Sequence, residues 1–224
     1  MLYKKIIFAT LLVLGLAPLS YGQGLATSKH DFTSAAWNNA TLISSNLRGQ
    51  MCLPCHAPHN TNDTSAGLTA PLWNHRMSAQ GTYSVYAGYN MQAVVGQPDG
   101  TSKLCLSCHD GTVALENFRT YSTGTTYIGS LSSGVSLTGT DLRNDHPISF
   151  TYDQALATAD GKLYDPTVAL SGLAGGGTIA HDMLEGGTKV QCNSCHDPHN
   201  GAGVPHLLIK TNSGSQLCFT CHNK

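Results

Sequence analysis

The sequence predicts a mostly irregular fold, with short helices around four Cys-x-x-Cys-His motifs, a few short strands, and coil elsewhere. Three observations lead to that prediction. All eight cysteines fall into the four motifs, Cys52–His56, Cys105–His109, Cys192–His196 and Cys218–His222. Only 11% of residues are charged, against about 25% in ordinary soluble domains. Gly, Ser, Thr and Asn are abundant instead, and these favour turns over long regular elements.

Residues 1–22 start Met-Leu-Tyr-Lys-Lys and run apolar from Ile6 to Ala17. A basic start, a short apolar core and small residues at Ser20 and Gly22 predict a signal peptide cleaved after Gly22. The apolar run is too short to cross a bilayer comfortably. A retained anchor is the alternative; otherwise no membrane span is expected after cleavage. Residues 23–119 are expected to form an N-terminal arm and a first motif pair, 120–180 a Cys-free connecting segment, and 181–224 a second pair, together one compact unit.

Within the arm, His30 stands close to the mature N-terminus, and Trp37 and Leu42 suggest a short helix or packed segment. Cys52–His56 is expected to open a short helix that Pro58 stops. A Thr/Asn/Ser loop over 60–70 leads to Pro71-Leu72-Trp73-Asn74-His75. Tyr83, Tyr86 and Tyr89 are either packing aromatics or surface turns. Residues 104–119 have helical periodicity and carry the second motif. Short strand-like runs lie near 126–131 and 148–152, followed by a Gly175–Gly177 turn that lacks the Lys of a phosphate loop. The second pair is tighter, with 26 positions from Cys192 to Cys218 against 53 from Cys52 to Cys105.

Cys-x-x-Cys-His is the attachment signature of c-type haem. Two thiols three positions apart on one turn can add to the two vinyl groups of a haem, and the next residue, His, then lies under the iron. The motifs therefore predict four covalently attached haem c groups. They would be held by Cys52, Cys55, Cys105, Cys108, Cys192, Cys195, Cys218 and Cys221, with His56, His109, His196 and His222 as proximal ligands. Zinc ribbons use paired C-x-x-C units but do not need a His after each, and disulfides across so short a gap are usually redox-active rather than structural. About 50 residues per haem is thin coverage, so the haems themselves are expected to form much of the core.

Seven of the 11 histidines remain for the opposite faces of the irons. His30, His59, His75, His146 and His199 are the leading candidates, with His181 and His206 in reserve. His59 and His199 each follow a proximal His by three residues, too close to reach the far face of that haem, so each would serve a different iron. Met77, Met91 and Met183 could substitute; Met51 adjoins Cys52 and could not. The supply favours bis-histidine iron throughout, which lowers reduction potential relative to His/Met and leaves no open site for substrate.

The run Cys52-x-x-Cys55-His56-x-Pro-His59-Asn, then Leu72-Trp73-Asn74-His75, Cys105-x-x-Cys108-His109-Asp-Gly-Thr and Asn144-Asp145-His146-Pro147, resembles the doubled-CXXCH multihaem c-type cytochromes of metal-reducing bacteria. Some extracellular tetrahaem members polymerise. The resemblance implies a homopolymeric filament with haems in a continuous chain and one axial His donated between subunits. In that case His30 would cross, and His59, His75, His146 and His199 would bind within the subunit.

An exported electron-transfer protein is thus expected, extracellular or at the cell surface, with the periplasm as the alternative. Other cytochromes would donate electrons, and acceptors outside the cell would take them. Removing residues 1–22 takes Lys4 and Lys5 and no acid, so 12 basic against 13 acidic residues becomes 10 against 13. Haem propionates add more negative charge, which makes nucleic acid an unsuitable partner. A periplasmic shuttle or the haem subunit of a complex has the same iron chemistry. A multihaem enzyme needs an open haem face, and a haem-free cysteine-stapled protein would lack colour.

Overall fold

A computed structural model describes residues 23–26, 28–33, 51–57, 72–118, 121–130 and 139–224. The signal segment, the stretch around Trp37 and Leu42, the loop over 60–70 and His59 lie outside the described residues. Among them, regular structure is sparse, as the composition predicts. Helix α1 is Gln23–Ala26, α2 is Gly100–His109, α3 is Gln154–Asp160, α4 is Ile179–Met183 and α5 is Cys218–Cys221. Strands β1 (Phe150–Thr151) and β2 (Lys189–Val190) pair antiparallel, Phe150 opposite Val190. No described helix is long and apolar enough to cross a membrane.

Two expected elements differ. Helical periodicity ran to residue 119, but α2 ends at His109. Asp110 takes over: its carboxylate accepts from the Thr112 N–H and hydroxyl, both at 2.8 Å, and from the Tyr83 hydroxyl at 2.7 Å. Gly111 then supplies the positive φ that turns the chain away. Residues 126–131 were expected to be strand-like, but Ile128–Ser130 is a 3₁₀ turn, closed by Ser130 donating to the Tyr127 carbonyl from both its N–H and its hydroxyl. The strand near 148–152 is β1. The glycine turn is present, with Gly176 N–H donating to Leu173 O.

Apolar residues gather in three small clusters rather than one large core. Phe150, Tyr152, Ile179, Met183, Val190 and Leu217 form the main one, and Cys195 and Cys221 pack against its edge. Phe32 joins Leu115, Phe118 and Ile128, with Leu53 and Cys108 alongside. Tyr83, Leu106 and Leu142 form the third. Tyr83 is buried, while Tyr89 is fully exposed.

A polar joint ties α2 to the third motif. The buried Gln191 amide oxygen accepts from the Ser102 hydroxyl at 2.5 Å and the Ser149 hydroxyl at 2.8 Å, and its amide nitrogen donates to Asp99 at 2.6 Å. The Cys192 N–H donates to Ser102 Oγ at 3.0 Å. Gln191→Leu would leave two buried hydroxyls without that acceptor. Each such loss costs about 1–3 kcal/mol. Thermal or denaturant unfolding of the loaded protein is expected to show about 2–3 kcal/mol of destabilisation; a change below about 0.5 kcal/mol would mean the joint carries no stability.

Candidate haem sites

Three of the four motifs share one local design. In the first, third and fourth, the His N–H donates to the first cysteine carbonyl, at 2.8 Å (His56), 3.0 Å (His196) and 3.0 Å (His222). That single turn brings both cysteines to one side with the histidine beyond them. An antiparallel bridge then clamps the histidine from both flanks. The second cysteine carbonyl accepts from Asn74, Ile209 and Tyr164 in turn, while Ala57, Asp197 and Asn223 donate to Leu72, Leu207 and Lys162. The residue opposite each histidine is Trp73, Leu208 or Leu163. The expected helix at Cys52–His56 is thus only a turn, because the bridge to 72–74 pulls the chain out straight. The second motif lies on α2 instead.

The structure brings proximal and distal candidates together across long sequence distances. The His30 and His109 rings have centroids 6.2 Å apart, His56 and His199 6.1 Å, and His146 and His222 6.4 Å. Two imidazoles on opposite sides of one metal, each nitrogen about 2 Å from it, have ring centres about 6 Å apart. His196 has no such partner among the described residues. His75 is almost fully buried, with Nε2 3.5 Å from Cys108 Sγ. Of the reserve histidines, His181 is exposed with Nδ1 2.7 Å from Asp182, and His206 places its backbone carbonyl 3.0 Å from His196 Nδ1. Met183 is built into the main apolar cluster.

Tautomers are set in the way metal sites require. Nδ1 of His30, His75, His146 and His196 meets the carbonyl of Pro198, Arg76, Pro147 and His206, at 3.1, 3.0, 2.8 and 3.0 Å. An Nδ1–H held this way leaves the Nε2 lone pair for a metal. Burial is the main cause that lowers His30 and His75 to a pKa of about 4, so both stay neutral, the ligating form, at ordinary pH. His30 is depressed further by His109, and then, after the opposing Pro198 carbonyl, by His199 and His196.

The thiols stand in spatial succession. Cys55 is pushed up to about 12 by burial and then by Cys52, and Cys108 is raised by burial and then by Cys55. Cys105 and Cys192 act on each other as a close pair, which holds the Cys105 thiol up and brings Cys192 down. Cys195 is pushed up to about 11 by burial and then by Cys218. First motif thus neighbours second, second neighbours third, and third neighbours fourth. Among the described residues no three His, Cys, Asp or Glu side chains converge as they would around a bare ion; the imidazoles stand in facing pairs.

The side chains present fit a covalently held haem. Beyond the paired imidazoles and paired thiols, Trp73 Nε1 is buried without an acceptor, against the His56 ring at 6.1 Å. A haem carboxylate is the kind of acceptor that would satisfy it. The Trp73 role escaped sequence reasoning, although Leu72-Trp73-Asn74-His75 stood out as a run; what was missing was the bridge that carries it to His56.

Residues 181–224 match the family model for the doubled CXXCH motif. That match supports a haem-binding region of the c-type cytochrome kind, a class whose work is electron transfer. No curated protein matches the chain.

The arm reaches its place through a narrow crevice. Asn200 Nδ2 donates to Gly24 O at 2.8 Å, and a Cβ on Gly24 would stand 2.1 Å from the Asn200 carbonyl oxygen. Gly24→Val is expected to undock the arm. Hydrogen exchange over residues 28–33 should accelerate at least about tenfold, a local opening easier by about 1.4 kcal/mol, while the region around Ile179 stays protected. Unchanged protection of the arm would show that this crevice does not hold it.

Proposed function

We propose that the chain is a tetrahaem c-type cytochrome that carries electrons through bis-histidine haems, as a subunit of an extracellular electron-conducting filament. The observation that carries the electron-transfer reading is the set of three proximal–distal imidazole pairs. In this reading His199 completes the site of His56, His30 that of His109 and His146 that of His222. His59 or His75 completes that of His196. Bound haem supplies a one-electron couple at its iron. The protein attaches each group through two thiols, closes both axial faces against substrate, and sets neighbouring motifs side by side so that electrons can pass. Such saturation favours electron transfer over catalysis.

The filament part is supported by the arm. Residues 34–50 separate it from the first motif, and a chain of that length can extend over about 50 Å. The dock formed by 197–200 and His109 can therefore be filled by a neighbour's arm, with His30 as the shared axial ligand. Other cytochromes would supply electrons, and acceptors beyond the cell surface would receive them. A second reading, a periplasmic shuttle, is favoured by His30 docking on its own chain, 6.2 Å from His109.

Protein matured in a host that attaches haem should contain four haem equivalents by pyridine haemochrome assay, all low-spin by electron paramagnetic resonance. His146→Ala is expected to turn one of them high-spin and open to carbon monoxide, leaving the others low-spin. Fewer than four haems, or an open haem in the unaltered protein, contradicts the bis-histidine reading. Electron microscopy of native material decides the rest: regular filaments support the polymer, and dispersed particles with every iron ligated internally support the shuttle.

A further inference from the structure

We infer that Lys210 is a fixed cation that raises the reduction potential of the haem attached at Cys218 and Cys221. The inference rests on the cytochrome reading above.

The Lys210 ammonium is not a loose surface charge. It donates to the Ser171 carbonyl at 2.8 Å and to Thr220 Oγ1 at 3.1 Å, and Thr220 lies on α5 between the two attachment cysteines. Thr220 is itself buried, and its hydroxyl donates onward to the Gln216 carbonyl at 3.0 Å. The backbone of Gly172 closes over the ammonium: it has φ +68°, and a Cβ there would stand 2.9 Å from Lys210 Nζ. A lysine ammonium has three protons to donate, and two are directed at acceptors flanking the fourth motif.

On its other side the nearest carboxylate is joined through Ser171, whose hydroxyl donates to Asp182 Oδ2, whereas Lys210 itself meets Thr220 inside the motif. A half-buried charge is screened by salt less than an exposed one. When the adjoining iron takes up an electron, a nearby fixed positive charge favours the reduced form, and net charge is one of the levers that set haem potential. The direction is therefore upward. The third and fourth motifs are neighbours, since Cys195 and Cys221 pack against the same apolar cluster, so the fourth haem has an adjacent donor within the chain.

The test is spectroelectrochemical titration of the fully loaded protein and of three variants. Cys218→Ala with Cys221→Ala identifies the fourth haem as the component that disappears. Lys210→Met keeps the apolar stem and removes the charge. That component should then be harder to reduce by about tenfold, which for a one-electron couple is about 59 mV, with the other components moving by less than a third of that. Lys210→Arg, which keeps the charge, should restore it to within about threefold. An unmoved component in Lys210→Met overturns the inference, as does an equal shift of all components. If Lys210→Arg shifts as far as Lys210→Met, packing rather than charge is responsible and the inference is wrong. If the double cysteine variant loses no component, there is no haem at the fourth motif, and the cytochrome reading itself fails there together with the inference.

Discussion

The fold depends on facing two imidazoles that the sequence places far apart. His30 meets His109, His56 meets His199, and His146 meets His222. Each contact spans a different part of the chain, so the three together draw the arm, the first motif, the Cys-free segment and the C-terminal motifs towards one another. Helices of four to ten residues and a two-stranded sheet cannot do this by burial alone. The apolar clusters are correspondingly small, and attachment cysteines lie at the edges of two of them. Covalent and coordinate links do in such a chain what a single large apolar core does elsewhere.

Around that constraint the backbone is economical. One turn and one antiparallel bridge recur at three motifs, each time fixing the histidine between a cysteine carbonyl and a following N–H. Leu72 and Leu207 even share the same φ of 56° at corresponding places in the bridges to the first and third motifs. The conformation is unusual for a side chain with a Cβ, and it recurs at these two bridges but not at Lys162 in the third. The Gln191 joint then relates one such unit to α2, and the Cys105–Cys192 contact follows from that packing.

The motifs, the irregular architecture and the shortlist of spare histidines were legible because they depend on spacing and composition. His146, picked out by the Pro147 that follows it, does lie beside a proximal histidine. The same holds for His199, whose ring lies beside His56 rather than beside its neighbour His196. The pairing itself was not legible, because it depends on contacts between residues 76 to 143 positions apart. Periodicity overran α2 because Leu115 and Phe118 continue an apolar spacing after Asp110 and Gly111 have already turned the chain; they pack with Phe32 from the arm instead. The first motif was read as helical because its turn is helical, and only the bridge to Trp73 shows why it goes no further.

The His56–His199 contact also bears on how the protein is made. A chain made from its N-terminus presents Cys52 and Cys55 first, yet the imidazole facing His56 arrives only at residue 199. The site of His222 is built in the opposite order, since His146 is already present when Cys218 emerges. The earliest attachment site is therefore among the last to be closed. A product cut short before residue 199 would hold its first cofactor with one face uncovered, where oxygen and small ligands can reach it.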